Sequence, residues 1–452
     1  MARALHIFVP HCSDVLTDHL PHGDGLIAHG FLTSLAQRGH RLHVAAERVE
    51  LRQPMHRNIT LHPIVLKRPP GLRSRLEYML QVRRLLQRLS SAQPFDLVHQ
   101  LNPVFTGVSL CTAGSELPLV LGTYVARWPT DPDALSTGGR WRSVVERGRD
   151  WIAGAQQRRA DALVLTTPAA WNRLPDPDAV RSRIHVIPHG LDTGLFSPAP
   201  GWESYASLQS EQRRPSILFL ANVLKRKGIL TLIAAFVEVL REFHECQLRV
   251  AGSGSDLTEA KQFAVRLGCA DQVEFMGQQE HGNAPGLYRN CSVYCLPSFG
   301  EPYGSTAIEA MGCARALVVT DCGALPYLVH PSGGLRVPAG DPAALSRALI
   351  WLLRHPQARV EMGRYNRQQV EPGMSWNNVA QRLEAIYKTV LSRRALRPGA
   401  LLSGSTLPAD PGGRLEPQFE PRLGPQFDPR LEPQFEPRSP DADRTRGPGK
   451  SK

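Results

Sequence analysis
The chain has 452 residues, 42% of them hydrophobic, enough for more than one core when a domain usually holds roughly 100 to 200 residues. A formal net charge of +12 and a pI near 9.6 favour anionic surfaces or substrates, but no nucleic-acid-binding motif accompanies the charge, so nucleic acid is not expected as a partner. The 8 cysteines lie mostly in apolar runs without a CxxC pair, which reads as reduced core thiols of a cytoplasmic protein and excludes a disulfide framework.

In chain order, short β-branched runs at 5–10, 41–46, 96–99, 117–122, 162–167 and 185–188 read as strands. A second series follows at 216–221, 248–252, 272–277, 293–297, 316–320 and 334–338. The first apolar run is too short for a signal peptide, and no stretch approaches the roughly 18 apolar residues of a membrane span. A helix is expected over 26–38, where Ile27, Phe31 and Leu35 repeat at helical spacing and Gly39 supplies the stop. Near-continuous apolar strands separated by helical stretches imply parallel sheets covered on both faces. The fold class is therefore α/β, with two doubly wound, Rossmann-like domains facing a cleft, joined through a Pro-, Ser- and Gln-containing segment near 196–214. From about Arg397 onward Pro, Gly and charge replace apolar periodicity, and LEPQFEPR recurs with small changes, so a disordered tail is expected over 397–452.

The stretch FGEPYGSTAIEAMG at 299–312 carries the chemistry. It reads as a loop at the carboxyl end of a strand followed by a helix from Ser305. Gly304, Ser305 and Thr306 then supply unpaired N–H groups at a helix start, which is an anion site suited to phosphate. Glu301 precedes the helix and Glu309 lies about one turn inside it, so the two carboxylates flank any phosphate bound there and can accept from hydroxyls on either side. A diphosphate with hydroxyls on both sides is a nucleotide sugar.

These residues carry a resemblance. E-x7-E after a strand ending in PS, followed by EAMG and ALVVTDCGALPYLV, resembles the retaining GT-B glycosyltransferases of family four. The same holds for DGLIAHGFLTSLAQRGHRLHV, VIPHGLDTGLFSP, FLANVLKRKGILTLIAAF, LRVAGSGSDL, VEFMGQQEH and GGLRVPAGDPAALSRAL, so that the likeness covers roughly residues 4–393. It implies an acceptor-side domain over 1–198, closed by a crossover helix at 375–393, and a donor-binding domain over 199–374. It also implies that Glu309 holds the ribose, Glu301 meets sugar hydroxyls beside the reacting carbon, and Gly304, Ser305 and Thr306 meet the diphosphate. Lys227 in KRKG would neutralise the leaving diphosphate, and Gly23 and Gly25 in PHGDGL correspond to a glycine loop facing the donor phosphates. No metal and no cofactor are then expected, the nucleoside diphosphate sugar being a co-substrate. The DPD triplets at 131–133 and 176–178 resemble a metal-binding DxD only superficially and read as Pro turns. His99 and His189 read as structural.

Three departures stand out. Ala221-Asn222-Val223 replaces the usual Gly-Arg-Leu, so the arginine partner of the diphosphate lysine is missing; Asn222 can hydrogen-bond a phosphate of the donor but adds no charge. Gly122-Thr123-Tyr124 stands where many members carry His-Gly, and Tyr327 replaces a common Glu. Basic residues cluster around 67–89 and 139–160 of the first domain. In the first cluster Leu76, Met79, Leu80, Leu86 and Leu89 are expected on one apolar face and Arg73, Arg84 and Arg88 on another; the second adds Trp141 and Trp151. A basic amphipathic helix suits an anionic membrane surface or an anionic, lipid-linked acceptor, placing the protein peripherally on an inner membrane face; an ordinary solvated helix face is the other reading. The expected activity is metal-independent hexosyl transfer to a hydroxyl of a glycan or glycolipid. A nucleotide-sugar epimerase on the same fold and a non-catalytic nucleotide-sugar binder are the alternatives.

Overall fold
The computed structural model describes residues 3–69, 71–103, 107–127, 139–203 and 214–396, with backbone only over 139–146. The repeat-bearing tail, the first DPD triplet and the Trp141 side chain fall outside what is described.

The first half supplies β1 (His6–Val9), β2 (Val15–Thr17), β3 (Arg41–Ala46), β4 (Arg48–Glu50), β5 (Ile59–Pro63), β6 (Leu97–Gln100), β7 (Leu119–Tyr124), β8 (Ala162–Leu165) and β9 (Ile184–Val186). Seven of them form a parallel sheet in the order β5-β3-β1-β6-β7-β8-β9, while β2 and β4 pair with each other. The second half supplies β10 (Ser216–Leu220), β11 (Gln247–Ala251), β12 (Val273–Gly277), β13 (Val293–Leu296), β14 (Leu317–Thr320) and β15 (Gly334–Val337), ordered β12-β11-β10-β13-β14-β15. Successive side chains point to opposite faces, so each sheet feeds two cores: Ile7 and Val44 on one side of the first sheet, Phe8 and Ala45 on the other. Ile217 and Phe219 likewise oppose Leu218 in the second. Strand order reverses between β1 and β6 and between β10 and β13. The loops leaving the carboxyl ends at such a reversal diverge and leave a crevice, which is where ligands bind in this architecture.

Strands β2, β4 and β5 escape the sequence reading because two are only three residues long and the third is mostly half exposed. Helix α1 (Gly23–Gln37) starts earlier than the apolar repeat implies. The His22 ring accepts from the Gly25 N–H at 3.2 Å, which moves the cap upstream and places Gly23 and Gly25 in the first helical turn instead of a preceding loop. Gly25 is needed there for packing, since a Cβ would lie 2.1 Å from the Val15 carbonyl oxygen.

Helix α2 (Leu72–Ala92) corrects the expected amphipathic face. Tyr78, Val82, Leu85 and Leu86 are its buried apolar residues, whereas Leu76 and Leu80 are 51% and 56% exposed. A run of Leu72, Leu76 and Leu80 at i, i+4 spacing thus faces outward. Helix α3 (Gly139–Arg159) exposes Trp151.

The helix Trp376–Ala395 returns to the first sheet: Val379, Leu383, Ile386 and Tyr387 share a core with Ile7, Val44 and Val120. The buried Glu384 carboxylate accepts from Arg38 at 2.6 and 2.9 Å and meets His40 at 3.0 Å. All eight cysteines are free thiols, seven of them buried. Among the described residues no helix is long and apolar enough to cross a membrane.

Candidate active site
The second sheet's strand reversal brings together the loops after β10 and β13. Gly228 closes the β10 loop at φ 79°, and a Cβ there would lie 1.8 Å from the Pro297 carbonyl oxygen, so only glycine lets this loop seat on the end of β13. Phe299 N–H then donates to the Arg226 carbonyl at 2.8 Å. The consequence is that Lys227 and Glu301, far apart in sequence, form an ion pair with Nζ 2.5 Å from Oε2. Both side chains are largely buried, at 14% and 7% exposure.

Gly304 caps the helix Ser305–Gly312 at φ 96°, a left-handed conformation that glycine adopts without strain. Among the described residues no carbonyl accepts from the N–H groups of Ser305 and Thr306, which leaves the helix start open to an anion. Tyr294 donates to Thr306 Oγ1 at 2.7 Å and so ties the helix start to β13. Asn222 sits on the exposed loop between β10 and Lys227, flanked by the Ala221 N–H to Ala251 and Val223 N–H to Ser253 bonds.

Glu309, one turn into the helix, is buried and accepts from the Tyr288 hydroxyl at 2.8 Å, with His281 Nδ1 3.9 Å away. Burial pushes its carboxyl up to about 7, against the opposing effect of the Tyr288 hydrogen bond. Glu309 and Ser305 line a cavity of about 530 Å³ whose other walls include Gly23 and His29 of α1, Phe196, His281 and Trp376. Glu301, Lys227 and Asn222 do not line it. The polar residues thus fall into two groups around one helix start: a Lys–Glu pair beside the open N–H groups, and a buried carboxylate facing a roomy cavity.

The first sheet approaches the same loop. Ala126 N–H, just beyond β7, donates to the Pro302 carbonyl at 3.1 Å, and His189 N–H donates to the Tyr303 hydroxyl at 2.7 Å. Thr123 Oγ1 lies 2.7 Å from His189 Nε2, and the two share a small cleft of about 30 Å³ with Asp24 and Asn102. Burial lowers His189 to about 3 and His99 to about 4, so both imidazoles are neutral. His99 bonds Tyr387 and the Gly122 carbonyl at 2.6 Å each, in keeping with a structural role. Asp176 and Asp178 lie in an exposed turn where Asp176 accepts from the Ala179 N–H. Tyr288, His281 and Tyr303 escaped the sequence reading: each acts through a neighbour that only folding supplies, and no spacing in the chain marks them.

Two family descriptions match the chain side by side. Residues 25–195 match Glycosyltransferase Family 4, and residues 202–369 match Glycosyl transferases group 1. A phosphatidyl-myo-inositol mannosyltransferase of Mycobacterium leprae is 27% identical over 71% of this chain and 80% of its own length. A D-inositol 3-phosphate glycosyltransferase of Segniliparus rotundus is 31% identical over 49% of this chain and 50% of its own length. Among solved structures, sucrose-phosphate synthase from Thermosynechococcus elongatus superposes with a TM-score of 0.67 at 21% identity, covering 86% of this chain and all of that one. Anabaena HepE, solved with UDP and glucose, superposes with a TM-score of 0.64 at 17% identity over 86% of this chain and all of that one. With both halves matched and the two-sheet architecture shared, the chain belongs to the group 1 glycosyltransferases of GT-B fold.

Proposed function
We propose that the chain transfers a hexose from a nucleoside diphosphate sugar to a hydroxyl of a glycan or lipid-linked acceptor, with retention of configuration and without a metal ion. The observation that carries this reading is the open start of the helix at Ser305, with the Lys227–Glu301 pair on one side and buried Glu309 on the other. Glu309 accepts from the ribose hydroxyls, and the N–H groups of Gly304, Ser305 and Thr306 take the diphosphate. Cleavage of the sugar–phosphate bond leaves charge on the β-phosphate, which Lys227 and the helix dipole stabilise; Lys227 then turns from Glu301 toward the phosphate. Glu301 is left facing the sugar beside the reacting carbon. Support for a nucleotide-sugar donor also comes from HepE, whose structure holds UDP and glucose, and support for a lipid-linked or phosphorylated polyol acceptor from the names of the two relatives.

The acceptor side fits a membrane-bound substrate. Leu72, Leu76 and Leu80 face outward beside exposed Arg73, Arg83 and Arg84, and Trp151 is 71% exposed. Apolar residues flanked by arginines suit the surface of an anionic bilayer on the cytoplasmic face.

The test is a panel of UDP-, GDP- and ADP-sugars with and without lipid extract, run on wild type, Glu301→Gln and Lys227→Ala. Transfer requires acceptor-stimulated release of nucleoside diphosphate. Glu301→Gln should keep nucleoside diphosphate affinity and lose turnover, whereas Lys227→Ala should weaken the diphosphate as well. Sugar interconversion without acceptor would establish an epimerase instead, and binding without turnover in the wild type a non-catalytic binder.

A further inference from the structure
An ion pair links the two lobes at the cavity that Glu309 faces. Arg52, on the loop after β4, reaches Glu280, on the loop after β12: its two terminal nitrogens lie 2.9 and 3.1 Å from the two carboxylate oxygens. The geometry is bidentate, and the arginine end is aimed. Asp18, just after β2, accepts from the Arg52 N–H at 3.0 Å and from the Gln53 N–H at 2.9 Å, and His19 Nδ1 lies 2.8 Å from it. The parallel pairing of β2 with β4 sets these two loops side by side. A carboxylate that accepts two backbone N–H groups fixes the loop's path, and with it the root of the Arg52 side chain.

Both ends of the bridge adjoin the cavity. Asp18 is part of its wall on the first lobe; on the second, Glu280 precedes His281, which lines the same space and stands 3.9 Å from Glu309. Two connections between the lobes also contribute to the wall, through Gly190 to Phe196 and through Ser375 and Trp376, and a backbone bridge joins Leu191 to Ser375. The lobes are therefore joined covalently along one part of this cavity, and by a breakable charge pair at another. Arg52 and Glu280 are 55% and 57% exposed, so the pair adds little to folding and is open to competition from salt.

We propose that Arg52 and Glu280 form a latch across the nucleoside end of the donor site, with Arg52 as a positioning residue of the first lobe that governs how long nucleoside diphosphate is retained. The proposal rests on the reading in which Glu309 holds the ribose. Neither latch residue touches the reacting atoms; they act by holding the lobes closed over the ligand, so their loss shows in release and not in the chemical step.

The experiment uses the full chain. Titration with UDP, GDP and ADP identifies which nucleoside diphosphate the wild type binds, and its dissociation rate is then followed by displacement of a fluorescent analogue. Arg52→Glu and Glu280→Arg are expected to raise that rate by about two- to fivefold each, the range for an exposed ion pair, and the combined reversal to restore it. KM for the donor should follow the dissociation rate while kcat holds or rises. Raising salt should speed release from the wild type and from the double reversal more than from a control carrying Arg52→Ala, whose salt dependence is that of the diphosphate contacts alone. Equal dissociation rates in wild type and both single variants, with unchanged melting temperatures, would overturn the latch. Absence of binding by all three diphosphates to the wild type would overturn the donor reading beneath it, so the two failures are told apart by the first titration.

Discussion

Glu309 should be held ionised at a cost in stability that its ligand repays, and replacing it separates the two effects. Burial raises its carboxyl from 4.5 to about 7, and the side chain is only 11% exposed, so solvent screening does not erase the shift. An acid that binds its proton more tightly when folded contributes stability that is present in full below about 4.5 and lost as pH climbs to about 7. A shift of this size corresponds to a loss on the order of 3 kcal/mol over that window. Glu309→Gln removes the charge and keeps an oxygen for the Tyr288 hydroxyl to bond, so the variant should lack this slope and at pH 8 should unfold at a temperature several degrees above wild type. On the proposed reading in which Glu309 holds the ribose, its affinity for nucleoside diphosphate should fall, the loss of a charged acceptor costing roughly 1 to 3 kcal/mol. In the wild type, binding that requires the ionised form should tighten about tenfold from pH 6 to pH 8. Thermal melts between pH 4.5 and 8, paired with calorimetric titration, read both quantities. The same pH dependence of melting in wild type and variant, or binding of nucleoside diphosphate by the stabilised variant as tight as by wild type, would rule out this role of Glu309.

The remaining predictions concern single features. Asn222→Arg adds a cation to the exposed loop beside Lys227 and should tighten nucleoside diphosphate binding about fivefold, read by titration. Gly25→Ala, whose Cβ would lie 2.1 Å from the Val15 carbonyl, should cost about 2 kcal/mol in denaturant unfolding or yield insoluble protein. Sedimentation with acidic liposomes should fall as salt rises and weaken in the triple variant replacing Arg83, Arg84 and Arg88 by Glu, and Leu76→Ser with Leu80→Ser, which adds no charge, should weaken it without changing the salt slope. Removing the residues after Gly399 should leave donor turnover and melting temperature unchanged, and a clear drop in either would show that the repeats pack on the body.

The alternation of apolar strands and helices made the two parallel sheets legible, because strands buried on both faces are near-continuously apolar, as in β8 and β13. The placement of FGEPYGSTAIEAMG was legible for a local reason: an apolar strand ends just before it, and the small residues Gly304, Ser305 and Thr306 open an apolar-faced helix. Local rules failed where a partner distant in the chain decides. Helix α1 begins at Gly23 because the His22 ring folds onto it and Gly25 meets β2, and neither contact follows from the apolar repeat. Along α2 the repeat gave a helix but not its buried side, since Tyr78 and Val82 turn inward while Leu76 and Leu80 are left outside. The chain by itself therefore marked Lys227, Glu301 and Glu309 as the charged residues of the candidate site, through their spacing along loops and helix starts. Tertiary structure alone decided that Lys227 neutralises Glu301, that Tyr288 and burial shift Glu309, and that Arg52 meets Glu280, because electrostatic and hydrogen-bond energies depend on distance in space and on exclusion of water, neither of which is written in sequence order.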